Sequence, residues 1–320
     1  MRGLWRLRAV RQIMLGLVPL LAVGLAILVA LLVRAHTVSD RLAPATARAS
    51  GVVVSVGSGN PRPATVRWTD SRGTRQVGRV TFPGSVSVPR GTRVSLHYVP
   101  DDPRRVYADG DTNYTLLGVL LGESVLVVVV LAVALAVTAV RVTRRVLLAR
   151  QPVTTLPVSR VHTKVGLIQR SWLVIDRNRR ESWVPVFWEP VLGDLMTGTP
   201  AAIHGNPERG GVVVDIGGTV IWPSGWRRAT PPRGEHRSNA GRWSQGAERR
   251  RAGDPEWTGT APVSMARQAR GDVALLLAAP IMGLLWSYID GLGSVGFGLS
   301  TALFAALLFW VPTVYGSDPS

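Results

Sequence analysis

The stretch TLLGVLLGESVLVVVVLAVALAVTAV, residues 115–140, decides the fold class of this chain. A helix needs about 20 mostly apolar residues to cross a hydrocarbon core of about 30 Å, so this stretch is long enough to span a membrane. Acidic residues precede it and arginines follow it, namely Asp109, Asp111, Arg141, Arg144 and Arg145. Arginine accumulates on the cytoplasmic side of membrane helices, which places the following segment inside the cell and the preceding one outside.

Three further apolar runs predict a multi-pass protein of a bacterial plasma membrane. Residues 13–33 carry no charge and are longer than the apolar core of about 7–15 residues in a signal peptide, so we expect an uncleaved helix. Residues 272–289 and 292–315 flank a short turn and predict a helical hairpin. The sequence therefore predicts four transmembrane helices in the lipid bilayer, with an N-terminus at 1–12 and a tail at 316–320 both in the cytoplasm.

Two small β-domains are expected between the helices, so the predicted fold class is an α+β membrane protein. The extracytoplasmic segment 34–114 contains period-two alternation over about 49–108, and this pattern indicates half-buried strands. The cytoplasmic segment 141–226 has similar runs, and each domain is expected to be all-β and barrel- or sandwich-like. Residues 227–270 are rich in Arg, Gly, Ser and Pro and predict a disordered basic linker.

A short internal echo raises the question of duplication. Four positions recur at one constant offset, pairing Gly91-Thr92, His97 and Pro100 with Gly198-Thr199, His204 and Pro207. The shared frame is a Gly-Thr pair, a short strand ending in His, and a Pro turn. Chance and common descent are equally good explanations of four matches in a Gly- and Pro-rich chain.

The composition excludes several classes of function. The net charge of +17 would fit a nucleic-acid-binding protein, but Lys164 is the single lysine among 37 basic residues. Codon bias toward arginine and the positive-inside rule explain this excess, so nucleic acid is not an expected partner. The chain has no cysteine, which excludes thiolate metal sites and cysteine nucleophiles. No catalytic, metal or cofactor pattern is present, and we expect a non-enzymatic protein without cofactors.

Two features are candidates for function. Glu123 lies within the apolar run 115–140, where an acid could serve proton or cation transport, although a position at the outer membrane interface is favoured. A group of tryptophans crowds the inner domain and is a candidate partner surface, with a β core as the simpler explanation: Trp172, Trp183, Trp188, Trp222 and Trp226.

These features support two hypotheses of function. The first is an accessory or scaffold protein whose β-domains contact other envelope proteins. The alternative is an oligomeric transport or channel-like component that uses Glu123. Stripes of small residues would allow close helix packing, either within one chain or in self-association, at Ala22, Ala26 and Ala30, at Gly118 and Gly122, and at Gly298, Ala302 and Ala306.

The outer segment also resembles a known family. The residues that carry the resemblance are Gly51-Val52-Val53-Val54, Val66-Arg67-Trp68-Thr69-Asp70, Gly73, and Gly91 to Tyr98 running into Pro100-Asp101-Asp102-Pro103. They are similar to an actinobacterial-type membrane protein family catalogued as domain of unknown function 3592, although Val99 separates Tyr98 from Pro100 here. The resemblance covers about the first third of the chain. It implies a membrane-tethered β-domain between two helices and no activity.

Overall fold

The computed structural model describes most of the chain in two compact units. The described residues are 7–84, 86–165, 168–177, 180–208, 211–238, 264, 273–290 and 293–318. The first unit comprises residues 1–24 and 131–320, and the second comprises residues 25–130. The fold is α+β, as predicted, because each unit contains one antiparallel sheet together with parts of the apolar helices.

In the described part of the chain, three helices are long and apolar enough to cross a membrane. They are α1 (Arg8–Leu42), α2 (Thr112–Leu148) and α4 (Gly293–Tyr315), and each contains one of the predicted spans or coincides with it. At a rise of 1.5 Å per residue, α1 and α2 are each more than about 50 Å long. Both therefore exceed the hydrocarbon thickness by several turns.

The third predicted span, 272–289, differs from the expectation of one long α-helix. Residues Val273–Ala278 form a 3₁₀ helix, and only Ala279–Asp290, here α3, is α-helical. Pro280 explains the change, because it has no N–H to donate to the carbonyl of Leu276 and so interrupts the α-helical hydrogen bonds. The predicted hairpin is confirmed, since α3 and α4 pack along each other.

The β-domain within residues 47–108, called the outer β-domain after its predicted location, is a five-stranded sheet that curls on itself. Its strands are β1 (Ala47–Val56), β2 (Arg62–Thr69), β3 (Arg75–Phe82), β4 (Arg93–Val99) and β5 (Asp102–Ala108), in the order β3-β2-β1-β4-β5. The edge strands β3 and β5 lie against each other. Gly78 makes this possible, because a Cβ there would lie 2.6 Å from Val106 and 2.8 Å from Trp68.

Asp111 joins this sheet to α2. Its carboxylate accepts hydrogen bonds from the backbone N–H of Asn113 at 2.7 Å and of Thr81 at 3.1 Å, so it caps the helix and holds the end of β3. Thr112 completes the join by donating its hydroxyl to the carbonyl of Thr81. An aspartate at this position is a favoured N-cap, since it satisfies a backbone donor that the helix leaves unpaired.

We expect Asp111→Ala to destabilise the outer domain by about 2 kcal/mol, because both backbone donors lose their acceptor. The measurement is the apparent melting temperature of the purified chain in detergent. Asp101→Ala is the matched control, since Asp101 is an exposed turn residue. Equal losses in the two variants would contradict the capping role.

The β-domain within residues 153–238, called the inner β-domain after its predicted location, repeats the same plan with additional strands. The strands are β6 (Val153–Val165), β7 (Ile168–Arg177), β8 (Arg180–Val186), β9 (Thr199–Gly205), β10 (Val212–Ile216), β11 (Thr219–Ile221) and β12 (Glu235–Ser238). Their order is β11-β10-β9-β6-β7-β8, and β12 pairs with the distal half of β6. Aliphatic side chains fill its core, including Leu173, Ile203 and Ile221.

The two sheets share one topology. In each, three strands form a meander, the fourth returns to pair with the first, and the fifth pairs with the fourth. The glycines of the sequence echo precede the fourth strand at positive φ, 90° for Gly91 and 77° for Gly198. His97 pairs with the first and fifth strands, and His204 does the same. This agreement in strand order and register supports duplication of a helix-plus-sheet unit.

The predicted disordered linker at 227–270 begins too early. Arg228 and Trp183 exchange two backbone hydrogen bonds, of 2.8 and 2.9 Å, and residues 235–238 form β12. Residues 235–238 pair with the distal half of β6, and Arg228 pairs with the edge strand β8, because backbone groups of these strands are open to pairing there. Residues 239–263 and 265–270 of the predicted linker lie outside the described residues.

Candidate functional site

The C-terminal end of the chain is built into the inner β-domain. A cytoplasmic tail was expected at 316–320, and the structure describes its first three residues, Gly316, Ser317 and Asp318, packed against this domain. Residues 319–320 lie outside the described residues. Gly316 turns the chain at φ +73°, and its backbone lies so close to Ser224 that a Cβ would meet that side chain at 2.6 Å. Ser317 accepts a hydrogen bond from the buried amide of Gln12 in α1 at 3.0 Å.

Asp318 ends this segment in a buried ionic cluster. One carboxylate oxygen lies 2.8 Å from an Arg160 guanidinium nitrogen and accepts a hydrogen bond from the hydroxyl of Ser171. The side chains of Asp318 and Arg160 are 0% and 4% exposed. Arg160 also donates to the carbonyl of Leu192 at 3.2 Å, and His162 lies 4.0 Å from the carboxylate. No sequence motif marks these residues, since they come from β6, β7 and the last residues of the chain.

Arginines clamp the last turn of α4 to the same domain. Arg141 of α2 donates to the carbonyls of Val314 at 3.0 Å and Ser224 at 3.2 Å, and its guanidinium stacks on Tyr315. Arg170 of β7 approaches the same ring at 5.0 Å. A cation is favourable there, because the last carbonyls of a helix lack internal donors and carry its negative dipole end.

The start of α1 and the end of α2 also pack against this domain. Ala9, Val10 and Ile13 of α1 share one buried cluster with Phe187 and Trp222 of the sheet. Arg8 lies over the ring of Trp188 at 4.6 Å, and Arg145 lies over Phe187 at 4.8 Å. The inner domain is therefore fixed to three chain segments of its own unit, at the start of α1, the end of α2 and the end of α4.

The predicted tryptophan partner surface is mostly core. Four of the five side chains are buried: Trp172, Trp183, Trp188 and Trp222. Trp222 and Trp188 contact the start of α1, Trp222 in a shared apolar cluster and Trp188 under the guanidinium of Arg8. Trp172 and Trp183 lie instead against Arg228, through a ring contact and a backbone bridge respectively. Trp226 is the exception at 73% exposure, and it carries the guanidinium of Arg144 at 4.2 Å from its ring centre.

Beside Trp226 a pocket opens between α2 and the loop at 223–227. It has a volume of about 420 Å³ and combines an apolar wall from α2 with four arginines, Arg141, Arg144, Arg145 and Arg227. Among the described residues that line it, none carries a carboxylate. From the sequence, the arginines after the apolar run 115–140 indicated only the orientation of the helix. The loop at 223–227, which completes the pocket, carries no recognisable motif, so the sequence did not predict the pocket.

Glu189 is a half-buried acid close to Arg8 and Arg11 at the start of α1. Burial raises the pKa of Glu189 from its usual 4.5 to about 7, although Arg8 and Arg11 act in the opposite direction. The folded chain therefore holds this proton more tightly than the unfolded chain. The resulting stabilisation is fully present below about pH 4.5 and is lost as the pH rises through about 7.

We expect Glu189→Gln to flatten the fall in stability between pH 5 and 8, because glutamine stays neutral where the wild-type carboxyl ionises. The shift sets an upper bound of about 3 kcal/mol on the effect. The measurement is the apparent melting temperature against pH, with the exposed Glu181→Gln as control. Parallel profiles for wild type and Glu189→Gln would contradict a raised pKa of Glu189 in the folded chain.

Glu123 lies in α2 within the second unit, on a half-buried face of the helix, and it makes an interaction there. If Arg141 marks the inner membrane boundary, a span of about 20 residues reaches back to position 121. That count leaves Glu123 within one turn of the outer boundary. The described residues contain no group of three or more His, Asp or Glu side chains that could hold a metal ion.

The two histidines of the sequence echo contact ordinary structural partners, Asp109 at 3.2 Å for His97 and the carbonyl of Gln151 at 3.3 Å for His204.

Comparisons with known proteins give no independent indication of function. No protein-family model, curated protein or solved structure matches this chain. The family resemblance of the outer segment therefore stays a prediction.

Proposed function

We propose that this chain is a non-enzymatic accessory or scaffold protein of a bacterial plasma membrane, whose β-domains contact other envelope proteins. The observation that carries the proposal is the attachment of the inner β-domain to the ends of α1, α2 and α4. Domains joined by small polar contacts move relative to their neighbours. Here a buried ion pair, a shared apolar cluster and an arginine clamp hold the sheet at a fixed height against the helices.

The proposal includes four membrane crossings and both termini in the cytoplasm. The segment 273–290 supports a crossing in addition to those of α1, α2 and α4, because a 3₁₀ helix rises about 2.0 Å per residue and an α-helix about 1.5 Å. The 3₁₀ and α-helical parts then measure about 12 Å and about 18 Å, which together match a hydrocarbon core of about 30 Å. Arg141, Arg144 and Arg145 support a cytoplasmic inner domain.

A row of exposed side chains across the outer sheet supports contact with an acidic protein. The register places Val77 of β3 beside Arg67 of β2, Arg67 beside Val52 of β1, and Val52 beside Arg93 of β4. All four are exposed. Arginine is enriched in protein interfaces, and aliphatic side chains between arginines add apolar area to the same patch.

Photo-crosslinking in native membranes tests the proposal. The reactive residue replaces Val77 in the outer domain or Trp226 in the inner domain, and Met196 is the control because it is equally accessible, at 58% exposure. We expect a reproducible heterologous protein adduct at one or both of the first two positions and none at Met196. Recovery of the chain alone, as a defined oligomer, would contradict the accessory function and favour transport.

We expect Glu123→Gln to leave proton flux and growth unchanged, because an interfacial acid is not part of a transmembrane path. The measurement is a pH-sensitive dye in vesicles that contain the purified chain. Leu121→Gln is the control for added polarity in the helix, because Leu121 is exposed and lies two residues from Glu123 in α2. A flux in wild type that Glu123→Gln abolishes would establish the transport alternative.

A further inference from the structure

The pocket between α2 and the loop at 223–227 has two chemically different halves. Ala136, Val137 and Val140 form one half, and they belong to the apolar run of α2. Arginines from the next turns of α2 and from the loop form the other half. A volume of about 420 Å³ lies in the range of small-molecule sites, so the pocket can hold a headgroup together with the first part of a chain.

Arg145 brings a buried hydrogen-bond donor to the polar half of the pocket. Arg145 is 4% exposed, and its Nη1 has no hydrogen-bond partner among the residues that the structure describes. The rings of Phe187 and Trp222, at 4.8 and 5.8 Å, contact its guanidinium but accept no in-plane N–H. The hydroxyl of Ser224, in the same lining, is also buried without a partner in the described part of the chain. A buried guanidinium is stable when it is paired and hydrogen-bonded.

The remaining arginines show which groups can bind such an anion. Arg141 is already used by the carbonyls of Ser224 and Val314. Arg144 is held over the exposed ring of Trp226, and Arg227 of the loop lines the same pocket. Guanidinium groups bind phosphate through paired N–H donors, and a tryptophan ring is favoured at the level of lipid headgroups.

We propose that this pocket binds the phosphate headgroup of an anionic phospholipid, with Arg144, Arg145 and Arg227 as the phosphate ligands and the Ala136–Val140 wall against the acyl chain. The proposal rests on the membrane insertion of α2 proposed above. Free phosphate shares the headgroup chemistry, but it would leave the apolar half of the pocket unfilled. Basic pockets at the cytoplasmic ends of membrane helices are established sites for anionic lipid headgroups.

Native mass spectrometry of the full-length chain tests this inference. The purified protein is equilibrated with mixed micelles of phosphatidylglycerol and phosphatidylcholine, and the retained lipid is counted. We expect selective retention of phosphatidylglycerol, reduced at least about tenfold in Arg144→Gln/Arg227→Gln, since each basic residue near a lipid surface contributes roughly fivefold in affinity. These two side chains reach solvent, so the variant keeps the fold. Arg180→Gln, an exposed arginine of β8, is the control and keeps the wild-type selectivity.

Three results would overturn the inference. One is equal retention of the two lipids by wild type, and another is unchanged selectivity in the double variant. The third is displacement of phosphatidylglycerol by millimolar inorganic phosphate, which would identify a free-phosphate site. Extraction of the chain from membranes by alkaline carbonate is measured in parallel. Release by carbonate would contradict membrane insertion itself, whereas a retained chain without lipid selectivity contradicts the pocket alone.

Discussion

Asp318→Ala is expected to destabilise the inner unit by about 3–5 kcal/mol, since it leaves Arg160 as a buried charge without its counterion. The same substitution removes the carboxylate that accepts the hydroxyl of Ser171, whereas the backbone hydrogen bond from residue 318 to the carbonyl of Gln169 in β7 stays possible. The measurement is thermal unfolding in detergent, where a loss of this size corresponds to a shift of about 10 °C for a unit of this length. Asp176→Ala is the matched control, because Asp176 is an exposed aspartate of the same sheet.

A double substitution separates the effect of the Arg160–Asp318 ion pair from the effect of any change at position 318. Arg160→Met/Asp318→Leu removes both charges together, and we expect it to be milder than Asp318→Ala alone, because no unpaired charge stays buried. The coupling between the two sites is then large and favourable, as contacting residues of one network require. Additive losses, or a shift in Asp318→Ala no larger than in Asp176→Ala, would contradict the anchoring of the tail.

Gly283→Leu is expected to separate α3 from α4. A Cβ at Gly283 would lie 2.1 Å from the hydroxyl of Thr301 and 2.8 Å from its backbone nitrogen, so the helix backbone itself would have to move. Overpacking of this kind costs about 3 kcal/mol or more. Because α3 is a short helix of 12 residues, the rest of its contact with α4 is too small to offset that loss. The measurement is the apparent melting temperature together with protease resistance of the hairpin in detergent.

Gly298→Leu provides the control within the same hairpin. A Cβ at Gly298 meets no atom within 4 Å among the described residues, so the substitution adds apolar surface without a clash. We expect wild-type stability for this variant. Equal destabilisation by the two substitutions would show that the close contact at Gly283 is not what holds the helices together.

The small-residue stripes show where sequence reasoning stops. Gly118, Gly122 and Gly298 were expected to allow close helix packing, either within one chain or in self-association. Within the described part of this chain a Cβ at each meets nothing within 4 Å, so packing inside the chain does not use them. The close contacts occur instead at Gly16, Gly24 and Gly283. A spacing of four places residues on one face of a helix, but the partner of that face depends on tertiary packing.

The helices and most strands were accessible from the sequence because hydrophobic periodicity is a local signal. The edge strand β12 and the 3₁₀ turn before α3 were missed, since both depend on neighbouring backbone groups. The cluster of Arg160, Ser171 and Asp318 was also missed. Its members are up to 158 positions apart, and only the docking of the chain end brings them together.

The shared sheet topology changes the weight of the internal echo. Four matching positions carried little information alone, but they lie at equivalent places in two sheets of one strand order. Equivalent glycines are needed before β4 and β9 because both turns use a positive φ, which other residues rarely adopt. The additional strands of the inner sheet pair at its margins and leave the common five-stranded plan intact.

The central claim is that α1 and α2 each cross the membrane, so that the outer and inner β-domains face opposite compartments. Because the natural chain has no cysteine, single substitutions at the exposed positions Ser58 and Met196 report each side without background. Intact cells are treated with a membrane-impermeant maleimide, and lysed cells serve as the reference. We expect Ser58→Cys to react in intact cells and Met196→Cys to react only after lysis. Reaction of both positions, or of Met196→Cys alone, in intact cells would contradict the proposed topology.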